Sequence, residues 1–408
     1  MDSPPLHIIV VGGGPAGTYA AIAAKKQRPE AMVTLLSEEP CEPYEKPPLS
    51  KAVLVGKAHP LDAQIAGPDG VGRHAVVLEC RSHCEAIDRA GRAVVLRGGR
   101  RLSYDTLVLA TGAEARELPH LPIGAPGVHY LRTEADAHRL KAELTPGRHL
   151  IIVGGGLIGL EVAASASEVG VRATVLEVEQ RVLARVCDEE TGAMVHAAHE
   201  RHGVEIRLGT KLQRAAPRPD GRVSVLTDAG DEIVADLVVV GVGSRPNDRL
   251  AAAAGLAVND GVVVDEQCRS SDPSIFAAGD VVRFPGPHGL VRLENWRHAL
   301  DQGTIAGKNA AGATEIYAAV PSFWSEQYDL YIQGVGWPVA GSTRIRRPLP
   351  GTAALQFDVN GNNLVYAMGI NVQRDLSMAR RLIERRIPVD PAALADPSKP
   401  LAAMLKTK

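Results

Sequence analysis

Two stretches of this chain follow one plan, and together they leave few folds open. In the first, His7 to Gly17, four β-branched residues (Ile8, Ile9, Val10, Val11) run into Gly12-x-Gly14-x-x-Gly17 and an apolar helical run from Tyr19 to Ala24. In the second, His149 to Val153 runs into Gly154-x-Gly156-x-x-Gly159, and a helix is expected over Leu160 to Val169. A buried parallel strand, a tight glycine turn and a helix N-terminus in that order make a pyrophosphate site. The first glycine permits the turn, the second lets the backbone approach the phosphates, and the third lets helix and strand pack closely. The helix's unpaired N–H groups and positive end face the anion. One such fingerprint is a weak signal, because glycine turns also occur where a strand merely meets a helix. Two of them, each followed by a strand and an acid, predict two dinucleotides and an α/β chain that moves electrons between them.

The acids come next. Met32 to Ser37 reads as a second strand ending at Glu38 and Glu39, and Glu38 is expected to accept hydrogen bonds from ribose hydroxyls, with Glu39 second. In the later copy Thr174-Val175-Leu176 runs into Glu177. Glu177 would bond a free 2′-hydroxyl and repel a 2′-phosphate, and Val178 and Glu179 follow it rather than arginine, which favours NADH over NADPH. Arg181 and Arg185 lie close enough in sequence to leave that preference open in degree.

Other stretches carry a less specific signal. Pro47 and Pro48 fix an extended loop, after which Leu49 to Lys51 start a helix. The strand DTLVLA ends in Ala110-Thr111-Gly112, which reads as close backbone approach to a ligand or as a plain crossover. A strand over Ala235 to Val242 opens into Gly243-Ser244-Arg245-Pro246-Asn247. Ser274-Ile275-Phe276-Ala277-Ala278 reads as a short strand ending in Gly279-Asp280, where the aspartate either holds a polyol hydroxyl or caps the next element.

A length of 408 residues suggests about two to four domains. A formal net charge of -2 leaves no global basic field for nucleic acid or anionic membrane. Residues 1–7 lack a basic n-region and the following apolar run is short, so neither signal peptide nor membrane span is expected and the cytoplasm is the default. Five scattered cysteines (Cys41, Cys80, Cys84, Cys187, Cys268) argue against a disulfide framework. Cys80-x-x-x-Cys84 sits in a strand-like stretch with no second pair at zinc spacing, so reduced thiols and no metal are expected. From about Pro321 the chain changes character. Aromatics are only 4% of the whole, yet Phe323, Trp324, Tyr328, Tyr331 and Trp337 crowd together ahead of strand-like runs and an amphipathic helix. Arg344, Arg346, Arg347, Arg374, Arg380, Arg381, Arg385 and Arg386 concentrate positive charge there, either as a solvated face or as a docking surface for an acidic partner.

The two fingerprints, PPLSK at 47–51, LVLATGA at 107–113, HYLRT at 129–133, RVLARV at 181–186, VVVGVGSRPN at 238–247, FAAGDV at 276–281, LENWRHA at 293–299 and PSFWSEQYDLYIQ at 321–333 share a further property. Over essentially the whole chain and in order, they resemble the FAD-containing, NADH-dependent ferredoxin reductases that serve aromatic-ring dioxygenases and cytochromes P450. The resemblance implies a glutathione-reductase-like, two-dinucleotide-domain (Rossmann-type) α/β flavoprotein with a C-terminal α+β interface domain. The FAD-binding domain would take 1–114 and 243–320, the NADH-binding domain 115–242 and the interface domain 321–408. FAD would lie on Gly12, Gly14, Ala16 and Gly17, with Glu38 on the adenosine ribose and Cys84 at the adenine. Ala110, Thr111 and Gly112 would stand near the pyrophosphate, Gly279 and Asp280 at the ribityl chain, and Arg132 and Trp296 at further flavin contacts. NADH would use Gly154, Gly156, Leu157, Ile158, Gly159, Gly241 and Gly243, with Glu177 and Arg185 at the adenosine end and Glu294 and Trp324 beside the nicotinamide.

The same resemblance pairs Lys51 with Glu161 as catalytic residues: a cation near the flavin favours its reduced form, and its carboxylate partner keeps it aimed. Glu161 is read into the first turn of its helix, where negative charge is also favourable. Two departures stand out: residues 56–73 lack an expected aromatic-containing helix, and Asn295 replaces the usual serine or threonine.

The implied activity passes hydride from NADH to FAD and then single electrons to a [2Fe-2S] ferredoxin, Rieske-type or adrenodoxin-like, in a monomer or homodimer. The competing functions are an NADH-dependent flavin disulfide reductase, peroxidase or oxidase, and an NADH-sensing interaction flavoprotein. The first rival needs a redox cysteine, and Pro48 stands where a single one is expected.

Overall fold

Five parallel strands organise the first half of the fold, in the order Ile275–Ala277, Thr106–Leu109, His7–Val11, Met32–Leu36, Val77–Glu79. A computed structural model describes residues 5–287 and 289–405 of the chain. They divide into one unit built from the described residues up to Lys46, Pro60–Glu114 and Ser244–Ala319, and a second built from Pro47–His59, Ala115–Gly243 and the described residues from Val320 onwards.

In the first unit the strand order reverses between His7–Val11 and Thr106–Leu109, and the crevice at that switch point is where doubly wound sheets bind nucleotides. Ile8, Val10, Val33, Val108 and Phe276 form one buried cluster with alanines of the helices Pro15–Gln27 and Trp296–Ala310. The two helices cross closely enough that a Cβ at Gly303 would overlap the Ala16 carbonyl oxygen and one at Gly307 that of Ala20. Those two glycines, one turn apart, seat the first glycine helix against its neighbour.

The second unit repeats the doubly wound pattern with Glu205–Arg207, Arg172–Leu176, His149–Val153, Leu237–Val240 and Val128–His129, all parallel. Its strand after the hairpin is Leu237–Val240 rather than 235–242, because Ala235 still belongs to the antiparallel strand Glu232–Ala235. The glycine helix runs Leu157–Glu168, three residues earlier than the expected start, with Gly156 as N-cap and Gly159 inside it. Beyond it lies an antiparallel sheet ordered Ser322–Gln327, Leu330–Gly336, Asn363–Ile370, Ala354–Asn360, Thr343–Arg347. Leu376, Ala379 and Leu382 of the helix Gln373–Glu384 are buried in the cluster that also holds Val335, Phe357 and Val359. Ile332, Met368 and Ile370 share a core with Leu150, Ile152, Leu237 and Val239, so the C-terminal sheet folds as part of this unit. Among the described residues no helix is long and apolar enough to cross a membrane.

Candidate functional site

At the first glycine turn the three motif glycines do different things. Gly12 has φ +120°, and a Cβ there would overlap the Ala110 carbonyl oxygen; a Cβ at Gly17 would overlap the Gly12 carbonyl oxygen. Both glycines are packed against backbone. Gly14 faces open space, with no atom within 4 Å of where its Cβ would stand. It is also the N-cap of Pro15–Gln27, which has neither a side-chain cap nor an acid in its first turn. An uncapped positive helix end beside an open glycine fits the pyrophosphate of FAD. The turn Ala110-Thr111-Gly112 stands against it. Thr111 Oγ1 donates to the Asn247 carbonyl at 2.8 Å, Asn247 Nδ2 returns a bond to the Thr111 carbonyl at 2.9 Å, and the Ala110 N–H reaches the Val11 carbonyl at 2.8 Å. Gly279, at φ +83°, donates its N–H to Gln302 Oε1 at 2.9 Å and lies against Ala16, with Asp280 following it in the chain.

The ribose acid is placed less simply. Val11 pairs with Leu36 as Val153 pairs with Leu176, so Ser37 is the counterpart of Glu177 and Glu38 stands one residue beyond. Ser37 is buried behind Gly13, a residue the sequence reading missed although the glycine-to-strand register marks it. The Glu38 side chain is 71% exposed and pairs with His83 Nδ1 at 2.8 Å. Glu39 is taken by Tyr44 at 2.5 Å and Lys46 at 2.6 Å. Ser82 N–H bonds the Ser37 carbonyl at 2.8 Å, which lays the stretch leading to Cys84 along this edge.

The second glycine turn repeats the cradle. A Cβ at Gly154 would come within 2.5 Å of the Gly241 carbonyl oxygen, and Gly156 and Gly243 face open space. Glu177 is buried, and its two carboxylate oxygens accept the Gly155 N–H at 2.5 Å and the Glu179 N–H at 2.8 Å. Each oxygen keeps a lone pair for a ribose hydroxyl. Ile158, 48% exposed in the first turn of the helix beside Leu157, and Val178, 58% exposed, add apolar surface next to Glu177. Arg181 is bound to the carbonyls of Cys187, Asp188 and Ala184, whereas Arg185 is exposed. Glu177→Ala is expected to raise KM for NADH about tenfold with a smaller change in kcat, and to narrow the preference over NADPH. It should also cost about 1–3 kcal/mol in urea unfolding, because two backbone donors lose their acceptor.

Lys51 and Glu161 meet inside the second unit, Nζ to Oε2 at 2.8 Å. The expected helix start at Leu49 is a single 3-10 turn, Pro47–Ser50, and Lys51 Nζ also donates to the Pro47 carbonyl at 3.0 Å. Because the helix begins at Leu157, Glu161 lies in its second turn rather than its first, beyond the free N–H groups that would reward a negative charge. Its carboxylate is instead held by side chains. Glu161 is 5% exposed and accepts hydrogen bonds from Ser50 Oγ and from Ser325 Oγ, the latter at 2.5 Å. Ser325 accepts from Gln327 Nε2 at 3.0 Å, Gln327 Oε1 stands 2.9 Å from His199 Nε2, and Tyr328 approaches His199 Nδ1 at 3.3 Å. A buried polar chain thus runs from the pair into the C-terminal sheet.

Burial pushes the His199 imidazole down to about 4, so it is neutral in the folded protein at neutral pH. The stability this gives is present above the ordinary histidine value of 6.5 and is lost as pH falls towards 4. The expected loss is roughly 3 kcal/mol. Urea midpoints at pH 7, 5.5 and 4.5 should fall steeply in the wild type and less steeply in His199→Gln; equal slopes would contradict the assignment.

Trp296 opens its helix and bonds Glu45 through its indole N–H, and burial raises the Glu45 carboxyl. Asn295 caps the same helix, accepting the His298 N–H at 2.8 Å, the task a serine or threonine performs there. Glu294 pairs with Arg292 in the first unit, while Arg132 and Trp324 fold with the second. Residues 56–73 form two short 3-10 turns, Pro60–Ala63 and Val71–His74, in place of the aromatic-containing helix. No disulfide joins any of the five cysteines. Burial raises Cys80, Cys84 to about 11, Cys187 to about 12, and Cys268 further, the opposite of an activated thiolate.

Half of the C-terminal arginines are committed to the fold. Arg344 pairs with Asp358 at 2.8 Å, Arg346 with Asp188 and Glu190, and Arg380 with Glu384 at 2.7 Å. Arg347 is 5% exposed and donates to the Leu394 and Ala393 carbonyls, so it is no docking residue. Arg374, Arg381, Arg385 and Arg386 remain exposed around the helix Gln373–Glu384.

Comparison with known proteins gives two family matches: pyridine nucleotide-disulphide oxidoreductase over residues 6–303 and reductase C-terminal over 322–405. Rhodocoxin reductase of Rhodococcus erythropolis is 37% identical, across 96% of this chain and 92% of that protein. The ferredoxin–NAD(+) reductase component of an anthranilate 1,2-dioxygenase system from Burkholderia cepacia is 38% identical, across 97% and 98%. Among solved structures, the covalent putidaredoxin reductase–putidaredoxin complex matches with a TM-score of 0.93 at 34% identity, across 99% of both chains.

Proposed function

The chain belongs to the pyridine nucleotide-disulphide oxidoreductases, and on that premise we propose that it is the NADH-dependent ferredoxin reductase of an oxygenase system. The observation that carries this reading is the pair of glycine cradles, each with a packed first and third glycine and an open second one at an uncapped helix end. Bound FAD supplies the conversion of a two-electron donor into single electrons. The chain's residues supply the rest. Gly12, Gly14, Ala16 and Gly17, with Ala110 to Gly112 and Gly279-Asp280, bind and orient FAD. Gly154, Gly156 to Gly159 and Glu177 bind NADH and select it over NADPH. Glu161, held by Ser50 and Ser325, aims the Lys51 ammonium, the cation proposed to favour the reduced cofactor.

The domain roles follow the same reading: FAD with the first unit, NADH with the Rossmann-type part of the second, and residues 321–408 for the protein partner. That partner is an acidic [2Fe-2S] ferredoxin, Rieske-type or adrenodoxin-like, drawn to Arg374, Arg381, Arg385 and Arg386. We infer a cytoplasmic site of action, where NADH is available. The raised thiols support delivery of electrons to a partner rather than to a cysteine. Anaerobic addition of NADH should bleach the flavin of the loaded protein, and a two-iron ferredoxin added next should restore its absorbance. Restoration by a disulfide or peroxide, and not by ferredoxin, would contradict the reading.

A further inference from the structure

We propose that His59, Glu134 and His138 form a binding site for a divalent transition metal ion of the zinc class. Each offers one ligand atom, and these atoms lie within 4.8 Å of one another. Glu134 and His138 stand on successive turns of the helix Glu134–Glu143 and therefore share a face. His138 Nε2 is 2.9 Å from Glu134 Oε1. His59 arrives from the separate segment Pro47–His59, its ring centroid 5.2 Å from that of His138 and tilted by 51°. Two imidazoles and one carboxylate form a donor set that holds zinc with a fourth position left for water.

With metal–ligand bonds of about 2.0–2.2 Å, tetrahedral donors stand roughly 3.4 Å apart. Closing to that spacing asks only for side-chain rotation, since His59 is exposed and the other two are half-buried. The backbones are already fixed. Thr133 and Asp136 form a capping box at the helix start, and just before His59 the Lys57 and Ala58 N–H groups both bond the Ala52 carbonyl, at 2.8 and 3.1 Å. No zinc spacing is visible in the sequence because His59 lies far along the chain from the helical pair, and only folding brings it there.

A bound ion would tie the segment that carries Ser50 and Lys51 to the helix Glu134–Glu143, so it acts as a clamp on that segment. The test uses the FAD-loaded full chain, freed of metal by a chelator and titrated calorimetrically with zinc chloride. One equivalent should bind, and His59→Ala and His138→Ala should each weaken binding about tenfold or more. The exposed His120→Ala should leave it unchanged. Hydrogen exchange over residues 51–58 should slow with zinc in the wild type and not in His59→Ala. Absence of saturable binding, or binding indifferent to His59 and His138, would overturn the site. Site-dependent binding without slowed exchange would overturn the clamp.

Discussion

Lys51→Met is expected to slow reduction of the bound flavin by NADH by about two orders of magnitude while leaving FAD content unchanged. The ammonium is 2.8 Å from Glu161 and 3.0 Å from the Pro47 carbonyl, so its position is set by the protein rather than by solvent. A preorganised charge of this kind contributes roughly 3 kcal/mol to a transition state, and methionine keeps the stem while removing it. Lys51→Arg should fall between the two, because the guanidinium is a planar fork where Glu161 and Pro47 accept from a point charge. Glu161→Ala should differ in kind. It leaves Lys51 without its acid and Ser50 and Ser325 without their shared acceptor, and breaking a buried pair from one side costs about 3–5 kcal/mol. Stopped-flow reduction and urea unfolding separate the two effects. Wild-type reduction rates in Lys51→Met would remove Lys51 from the mechanism.

The second large effect is expected at the first glycine turn, where alanine should disrupt folding at two of the motif positions and leave it nearly unchanged at the third. At Gly17 a Cβ has to displace the Gly12 carbonyl, and at Gly12 the φ of +120° adds strain to a similar overlap. Gly17→Ala and Gly12→Ala should therefore lower the stability of the FAD-free protein by several kcal/mol. At Gly14 the space is open, so Gly14→Ala should leave that stability within about 1 kcal/mol and still prevent purification with bound FAD. The comparison reads out as flavin absorbance per protein alongside the melting temperature of the stripped form. Retention of FAD by Gly14→Ala would move the pyrophosphate away from this turn.

What was legible in the sequence was local. The glycine spacings, the β-branched strands before them and Glu177 are written within some thirty residues each, and strand register reproduces them. The same register shows what was harder to read: Ser37 holds the place that Glu177 holds in the second copy, and Glu38 follows one residue later. Glu161 came from the family resemblance, but Ser325, which bonds it, and Gln327 and His199 behind Ser325 come from another strand and another helix and have no signal in spacing. Gly303 and Gly307 passed unnoticed for a related reason, since a helical glycine pair shows its purpose only when the opposing backbone is in place. The arginine concentration was visible as composition, whereas the salt bridges of Arg344 and Arg346 and the burial of Arg347 depend on partners brought in by folding.

Whether electrons from NADH leave the chain for a ferredoxin is read from NADH oxidation under limiting oxygen, with and without an added two-iron ferredoxin. A large stimulation is predicted, weakened by salt and reduced when Arg374, Arg381, Arg385 and Arg386 are replaced by glutamine. A rate indifferent to ferredoxin, with steady consumption of peroxide or a disulfide, would contradict the account.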